Sequence, residues 1–196
     1  KALQKCELGL GTTATSLRFA TACGMSDRLR LDLVLNDFVA SAIIRKRIEV
    51  LSDGTPWRPL IHVKDMARAI EWGILRNTKI VKPYLAVNVG SNSWNYKVSD
   101  LAKAVVETVP DCQLSFNEKA LPDKRSYKVN FDLFEKLAPG YSPVYGLQDA
   151  ILELVDGISE IKHLIPDDFQ SSDFIRLHIL ENHLNNGRLS SDLRWI

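Results

Sequence analysis

An α/β fold on an open sheet that the chain enters partway along is what this sequence predicts, and two stretches predict it. Lys1 to Leu8 has the make-up of a helix end, with Ala2, Leu3 and Cys6 on one side and Gly9 and Gly11 stopping it. Thr15 to Thr21 (TSLRFAT) follows at once with the β-branched and apolar content of a buried strand. The second stretch is Asp53 to Ile70, DGTPWRPLIHVKDMARAI. There a Gly-containing turn leads to Arg58 just before a short apolar strand (Leu60, Ile61, Val63), and Asp65 opens an amphipathic helix. Strand and helix in alternation imply a sheet with helices packed on its faces.

The other elements follow in order. Arg28 to Arg45 begins with alternating charge and apolar residues and settles into helical spacing at Leu35, Phe38, Val39, Ala42 and Ile43. Arg45-Lys46-Arg47 is expected as a solvated turn before a strand at Ile48 to Leu51. The helix opened by Asp65 runs to Leu75, and Lys82 to Val89 is a strand closed by the turn residues Gly90-Ser91-Asn92. Ser99-Asp100 is expected to cap a helix with apolar positions Leu101, Ala104, Val105 and Val109. Leu114 to Phe116 is a short strand, Pro139-Gly140 a turn, and Leu147-Gln148-Asp149 opens a helix from Ala150 to Ile161. A last helix, Asp173 to Asn185, carries Phe174, Leu177, Leu180 and Leu184 at helical spacing and stops at Asn186-Gly187. Residues 1–155 are expected as one domain and 156–196 as a helical tail that packs or meets a partner.

Composition excludes several classes. The 196 residues are 45% hydrophobic, enough for a sizeable core. A net charge of +1 leaves no basic footprint for nucleic acid and no reason to invoke a membrane, and no apolar run approaches a membrane span. Cys6, Cys23 and Cys112 form no C-x-x-C and no Cys/His cluster, and His178 and His183 stand five apart, so no metal site is expected. Widely spaced cysteines fit a reducing, cytoplasmic setting, and Cys23, with no base to activate it, is expected as a buried inert thiol. The chain opens on Lys1 and not on methionine, and no signal peptide opens it, which predicts a fragment or a lost N-terminus.

Four segments carry a family resemblance. Asp53 to Ala69 resembles the G-D-G-x-x-x-R-D-F-x-H-V-x-D-x-A-x-A segment of the nucleotide-sugar epimerases and dehydratases, the extended short-chain dehydrogenases/reductases. Ser52 stands there for a usual glycine and Pro59 for a usual aspartate. Leu17-Arg18-Phe19-Ala20-Thr21-Ala22-Cys23-Gly24 is similar to the family's L-R-x-x-N-x-Y-G strand, and Arg28 to Phe38 to its R-x-R-x-D-L-V-V-N-x-F segment. Pro122 to Val129 (PDKRSYKV) resembles the D-x-R-x-Y element of its small substrate lobe. The resemblance implies the C-terminal part of a Rossmann-like fold with a small mixed α/β substrate lobe.

It also implies site residues. Arg58 would bind the diphosphate of a nucleotide-sugar, a role suited to the planar guanidinium fork; by spacing alone it reads as a solvated arginine beside a turn. Thr21 would hydrogen-bond the substrate through its hydroxyl, and Asn36 would contact the phosphates or sugar. Asp123 would accept from a hydroxyl, with Arg125 a second phosphate clamp supported by Tyr127. Phe19 and Ala20 would lie against the nicotinamide of NAD or NADP. Without the resemblance, Phe19 and Ala20 are strand core, Asn36 a surface amide, and Asp123 half of an exposed ion pair.

The family's catalytic elements are absent from these residues. No G-x-x-G-x-x-G occurs, and no tyrosine is followed four positions later by lysine, so no catalytic residue is expected in the chain. Free tyrosine titrates near pH ~10, which is why that chemistry needs the lysine. Family order would put both elements upstream of Lys1. The leading expectation is therefore the nucleotide-sugar-binding part of an NAD(P)-dependent epimerase, dehydratase or ketoreductase, inactive alone, with a homodimer as candidate assembly. The alternatives are a non-catalytic nucleotide-sugar sensor and a scaffold.

Overall fold

The computed structural model describes residues 12–77, 83–120 and 126–196. The expected helix at Lys1 to Leu8, the strand start at Lys82, and the site residues Asp123 and Arg125 lie outside them.

β1 (Ala14–Phe19) pairs in parallel with β5 (Tyr84–Val89), in register from Ala14 opposite Tyr84 to Phe19 opposite Val89. β2 (Thr21–Cys23) pairs in parallel with β4 (Trp57–His62), whose first half pairs antiparallel with β6 (Asn95–Lys97). β3 (Arg47–Val50) pairs in parallel with β7 (Gln113–Phe116). The described helices are α1 (Val34–Arg45), α2 (Val63–Leu75), α3 (Val98–Thr108), α4 (Asp132–Leu137), α5 (Leu147–Ile161) and α6 (Arg176–Asn185). Parallel pairs joined through helices make this an α/β protein, its described strands forming three small sheets of two, three and two strands.

The strand expected from Thr15 to Thr21 divides. Ala20 still donates its N–H to the Val89 carbonyl (3.0 Å), but Thr21 already pairs with Leu60 of the other sheet. One residue thus separates two sheets. β1 is only half-buried, because among the described residues it pairs with β5 alone.

Two apolar cores result. The larger joins α1, α3 and α5 through Leu35, Val39, Leu101, Val105, Ile151 and Leu154, all fully buried. The spacing that predicted α1 is its buried face: Leu35, Phe38, Val39, Ala42 and Ile43 all lie inside. The smaller gathers Ala20, Ile61, Trp72, Val87, Val89, Phe131 and Phe134 under the β1–β5 pair, with Trp72 edge-on to Phe134 at 5.4 Å. Gly90 belongs to this packing, since a Cβ there would stand 2.7 Å from the Phe131 ring.

Several boundaries differ from expectation for physical reasons. Arg58 lies inside β4, because pairing with β6 extends that strand back to Trp57. α2 starts at Val63, two residues before Asp65, because the His62 ring caps it by accepting the Lys64 N–H at its Nδ1 (3.2 Å). Ser99 does not cap α3. The Val98 and Ser99 amides instead donate to the Pro56 and Gly54 carbonyls (both 2.9 Å). α5 begins at Leu147 because the Asp149 carboxylate accepts the Gly146 N–H (2.8 Å). It runs through position 155, the expected domain boundary, and Ile158, Ile165 and Phe169 share its core. α6 starts only at Arg176, and none of its residues is buried.

Candidate functional site

A cleft of about 720 Å³ opens beside β2 and β4, within the size range of sites for small organic ligands. Thr21, at the start of β2, Arg58, in β4, and Tyr127 all line it. They come from three segments brought together by backbone pairing. Thr21 pairs with Leu60, two residues along from Arg58. Ser126 and Tyr127 are pinned to β4 across Trp57: the Trp57 N–H donates to the Ser126 hydroxyl (3.1 Å), and the Tyr127 N–H donates to the Trp57 carbonyl (3.3 Å). Lys128 then lies over the Trp57 ring, its ammonium 3.6 Å from the centroid, with Lys97 at 5.6 Å. Arg58 is half-buried and turns one Nη1 back to the Trp57 carbonyl at 2.9 Å.

The rest of the lining was not legible as such. The turn before α1 and its first face supply Leu33, Val34 and Phe38, and the end of β3 supplies Val50, Leu51 and Ser52. Positions 34, 37 and 38 share one helix face, and that spacing was the available signal. Three carboxylates also line the cleft: Asp32, Asp37 and Glu49. Arg30 holds Asp32 through Nε (2.8 Å) and Nη2 and keeps its carboxyl below the usual range; Arg47 pairs with Glu49 at 3.2 Å. Asp37 differs: burial raises its carboxyl above the usual range, opposed by hydrogen bonds from Gln170 and Ser41 and by the Arg45 charge.

The other expected residues sit elsewhere. Asn36 is buried behind the cleft, where its Oδ1 accepts the Gly24 N–H (3.1 Å) and its Nδ2 donates to the Arg30 carbonyl (3.0 Å). Its amide braces the chain between β2 and α1 instead of facing the cleft, because both its ends are engaged by backbone. Phe19 and Ala20 stand at the carboxyl end of β1, packed into the smaller core.

A second polar group is buried apart from the cleft. Asp65 accepts from the Val144 and Tyr145 amides (3.1 and 3.2 Å) and pairs with Arg68 (2.9 Å). His62 stacks on Tyr145 at 4.3 Å, with its Nε2 3.5 Å from Glu153 and, among the described residues, without a hydrogen-bond partner. Gly24 leaves room for this ring, since a Cβ there would meet Nε2 at 2.4 Å. Burial lowers the His62 pKa below its ordinary 6.5, helped by Lys64 and opposed by Glu153 and Asp65. Cys23 is fully buried and its thiol is pushed up to about 12, so it is no nucleophile. No group of His, Cys, Asp and Glu among the described residues could hold a metal ion. No described helix is long and apolar enough to cross a membrane.

Residues 2–90 match the model of the NAD dependent epimerase/dehydratase family. Solved structures match most of the chain at low identity. TunA, an NAD dependent NDP-hexosamine 5,6-dehydratase involved in tunicamycin biosynthesis, is 18% identical with a TM-score of 0.66, over 81% of this chain and 49% of its own. UDP-glucose 4-epimerase from Thermotoga maritima, with UDP-glucose, is 18% identical with a TM-score of 0.60, over 76% and 46%. UDP-glucuronic acid 4-epimerase from Bacillus cereus, in complex with UDP-glucuronic acid and NAD, is 20% identical with a TM-score of 0.58, over 74% and 45%. The chain spans about half the length of the structures it matches.

Proposed function

We propose that this chain, whose residues 2–90 match the model of the NAD dependent epimerase/dehydratase family and whose fold is similar to part of a Rossmann-like extended short-chain dehydrogenase/reductase, is the nucleotide-sugar-binding part of such an enzyme. The observation that carries this reading is the meeting of Thr21, Arg58 and Tyr127, from separate segments, on one cleft of about 720 Å³. In it Arg58 binds the diphosphate, because a guanidinium offers two parallel donors to phosphate oxygens. Thr21 donates to or accepts from a sugar hydroxyl. Tyr127, half-exposed at the rim, covers the ligand. Asp123 and Arg125, four and two residues before Tyr127, are assigned to the ribose and the second phosphate clamp by their place in the sequence. Asn36 acts on this site indirectly, by bracing the chain between β2 and α1.

The cofactor fit is partial. Phe19 and Ala20 give an apolar wall at the carboxyl end of the parallel β1–β5 pair, the edge where dinucleotides lie in such sheets. The 196 residues hold neither the Gly-rich turn that would take the pyrophosphate nor a Tyr-x-x-x-Lys pair. The residues present do not fit a whole NAD or NADP, and no chemical step is assigned to them. Hydride chemistry at the sugar belongs to an assembly that supplies those elements.

Titration calorimetry with UDP-, dTDP- and ADP-linked sugars tests the proposal. Binding of at least one is expected, weakened about ten- to a hundredfold by Arg58→Ala, the worth of one charge-assisted contact. If every nucleotide-sugar fails to bind, or if Arg58→Ala binds as tightly as the parent, the reading falls.

A further inference from the structure

Residues 126–131 run beside β4 and β6 as a strap at the rim of the cleft, and the two ends of the strap are held differently. At the far end the Asn95 side chain takes both backbone groups of Val129, accepting its N–H at Oδ1 (2.9 Å) and donating from Nδ2 to its carbonyl (3.1 Å). Asn92 Oδ1 accepts the Phe131 N–H (3.0 Å), and the Phe131 ring is fully buried in the smaller core. The near end carries Tyr127 and is held at Trp57, through the Ser126 hydroxyl and the Tyr127 N–H. Ser126, Tyr127 and Lys128 are all exposed, and backbone hydrogen bonds in such surroundings open readily.

Trp57 meets that end with its side chain as well as its backbone. Neighbouring side chains of a strand alternate, so Arg58 faces the cleft and the Trp57 ring the other side of β4. Tyr127 lines the cleft, while Lys128 crosses to the ring and sets its ammonium 3.6 Å from the centroid. Lys97, opposite Trp57 on β6, stays at 5.6 Å, so Lys128 makes the closer contact. The Trp57 carbonyl accepts two donors at once, Arg58 Nη1 at 2.9 Å and the Tyr127 N–H at 3.3 Å, which is the capacity of its two lone pairs. One residue of β4 thus holds both the guanidinium and the phenol that line the cleft.

Resting on the nucleotide-sugar reading, we propose that Lys128 is a positioning residue, latching the strap to the Trp57 ring so that Tyr127 and Arg58 meet the nucleotide-sugar in a fixed geometry. Lys128 does not touch the ligand. Its effect comes from preorganisation, because a strap already in place gives up less freedom on binding. A contact of this kind at an exposed site is modest, so its removal changes affinity by about three- to fivefold.

Two measurements on the full chain test the latch. Without ligand, hydrogen exchange of the Tyr127 amide, followed by NMR, should be about three- to fivefold faster in Lys128→Met than in the parent, and near the parent rate in Lys128→Arg, which keeps a cation for the ring. Calorimetry with UDP-glucose, dTDP-glucose and ADP-glucose should show Lys128→Met and Trp57→Leu each weakening whichever of these the parent binds by about three- to fivefold, and the double variant no weaker than either single one. Lys128→Arg and Trp57→Phe should stay near the parent. A lysine in direct contact with the phosphates would lose affinity in Lys128→Met and not in Trp57→Leu. That result, or an unchanged Tyr127 exchange rate in Lys128→Met, overturns the latch and leaves the nucleotide-sugar reading standing. Failure of the parent to bind any of the three ligands overturns both.

Discussion

At the residue scale, buried polar groups carry more consequence than the exposed pairs. Asp65 satisfies two amides of the segment before α5 and pairs with Arg68, all from a side chain with no solvent exposure. Asp65→Ala leaves those amides without their acceptor, while Arg68 keeps the Ser142 and Gly140 carbonyls, and a loss of about 1–3 kcal/mol in urea unfolding is expected. Gly24 combines a φ of +101° with its close approach to His62. Gly24→Ala should cost about 1–3 kcal/mol, read in the same experiment. His62 gives a pH dependence. Its folded pKa lies below the ordinary 6.5, so the unfolded chain binds the proton more readily and stability falls as pH drops below that value. His62→Phe keeps a ring on Tyr145 but cannot titrate, and its unfolding free energy should lose that part of the slope below about pH 6.5. A parent and variant with equal slopes would show that other groups set it.

At the element scale, the larger core depends on α5. Leu154 is fully buried among α1 and α3, and Leu154→Ala should cost about 2–5 kcal/mol by leaving a cavity, measured by thermal or chemical unfolding. This scale also separates what the sequence makes legible from what it does not. The periodicity of Leu35, Phe38, Val39, Ala42 and Ile43 identified a buried face of α1, and Asn36, Ala40 and Ser41 are buried beyond it, so the helix is covered on more sides than the spacing marks. For Leu177, Leu180 and Leu184 the same reasoning found the helix but not a buried face, since none of its residues is buried, and Phe174, just before it, is partly buried against the larger core. Helix starts were missed where capping came from elsewhere: a histidine ring at α2 and loop carbonyls at α3, neither visible in a search for Ser or Asp. Within the cleft, Thr21 and Arg58 were legible through motif order. Asp37, also in the cleft lining, is held by a glutamine 133 positions away. Long-range contacts of that kind leave no local pattern.

At the scale of the whole molecule, the chain has a cleft and lacks a Tyr-x-x-x-Lys pair within its 196 residues. The expected behaviour is binding without chemistry. Incubation of the purified chain with NAD and the nucleotide-sugars that bind it should give no epimerised, dehydrated or reduced product by chromatography, and measurable turnover would contradict the division of labour proposed above.

The passage from β1 to β2 through Ala20 has a mechanical meaning. A connection one residue long has no slack, so the lobe bearing Thr21 cannot drift while the β1–β5 pair stays still. On the proposed reading, a ligand pressing on Thr21 is two peptide bonds from the end of β1. The same short tether that sets the two surfaces at a fixed spacing also makes each sensitive to what occupies its neighbour.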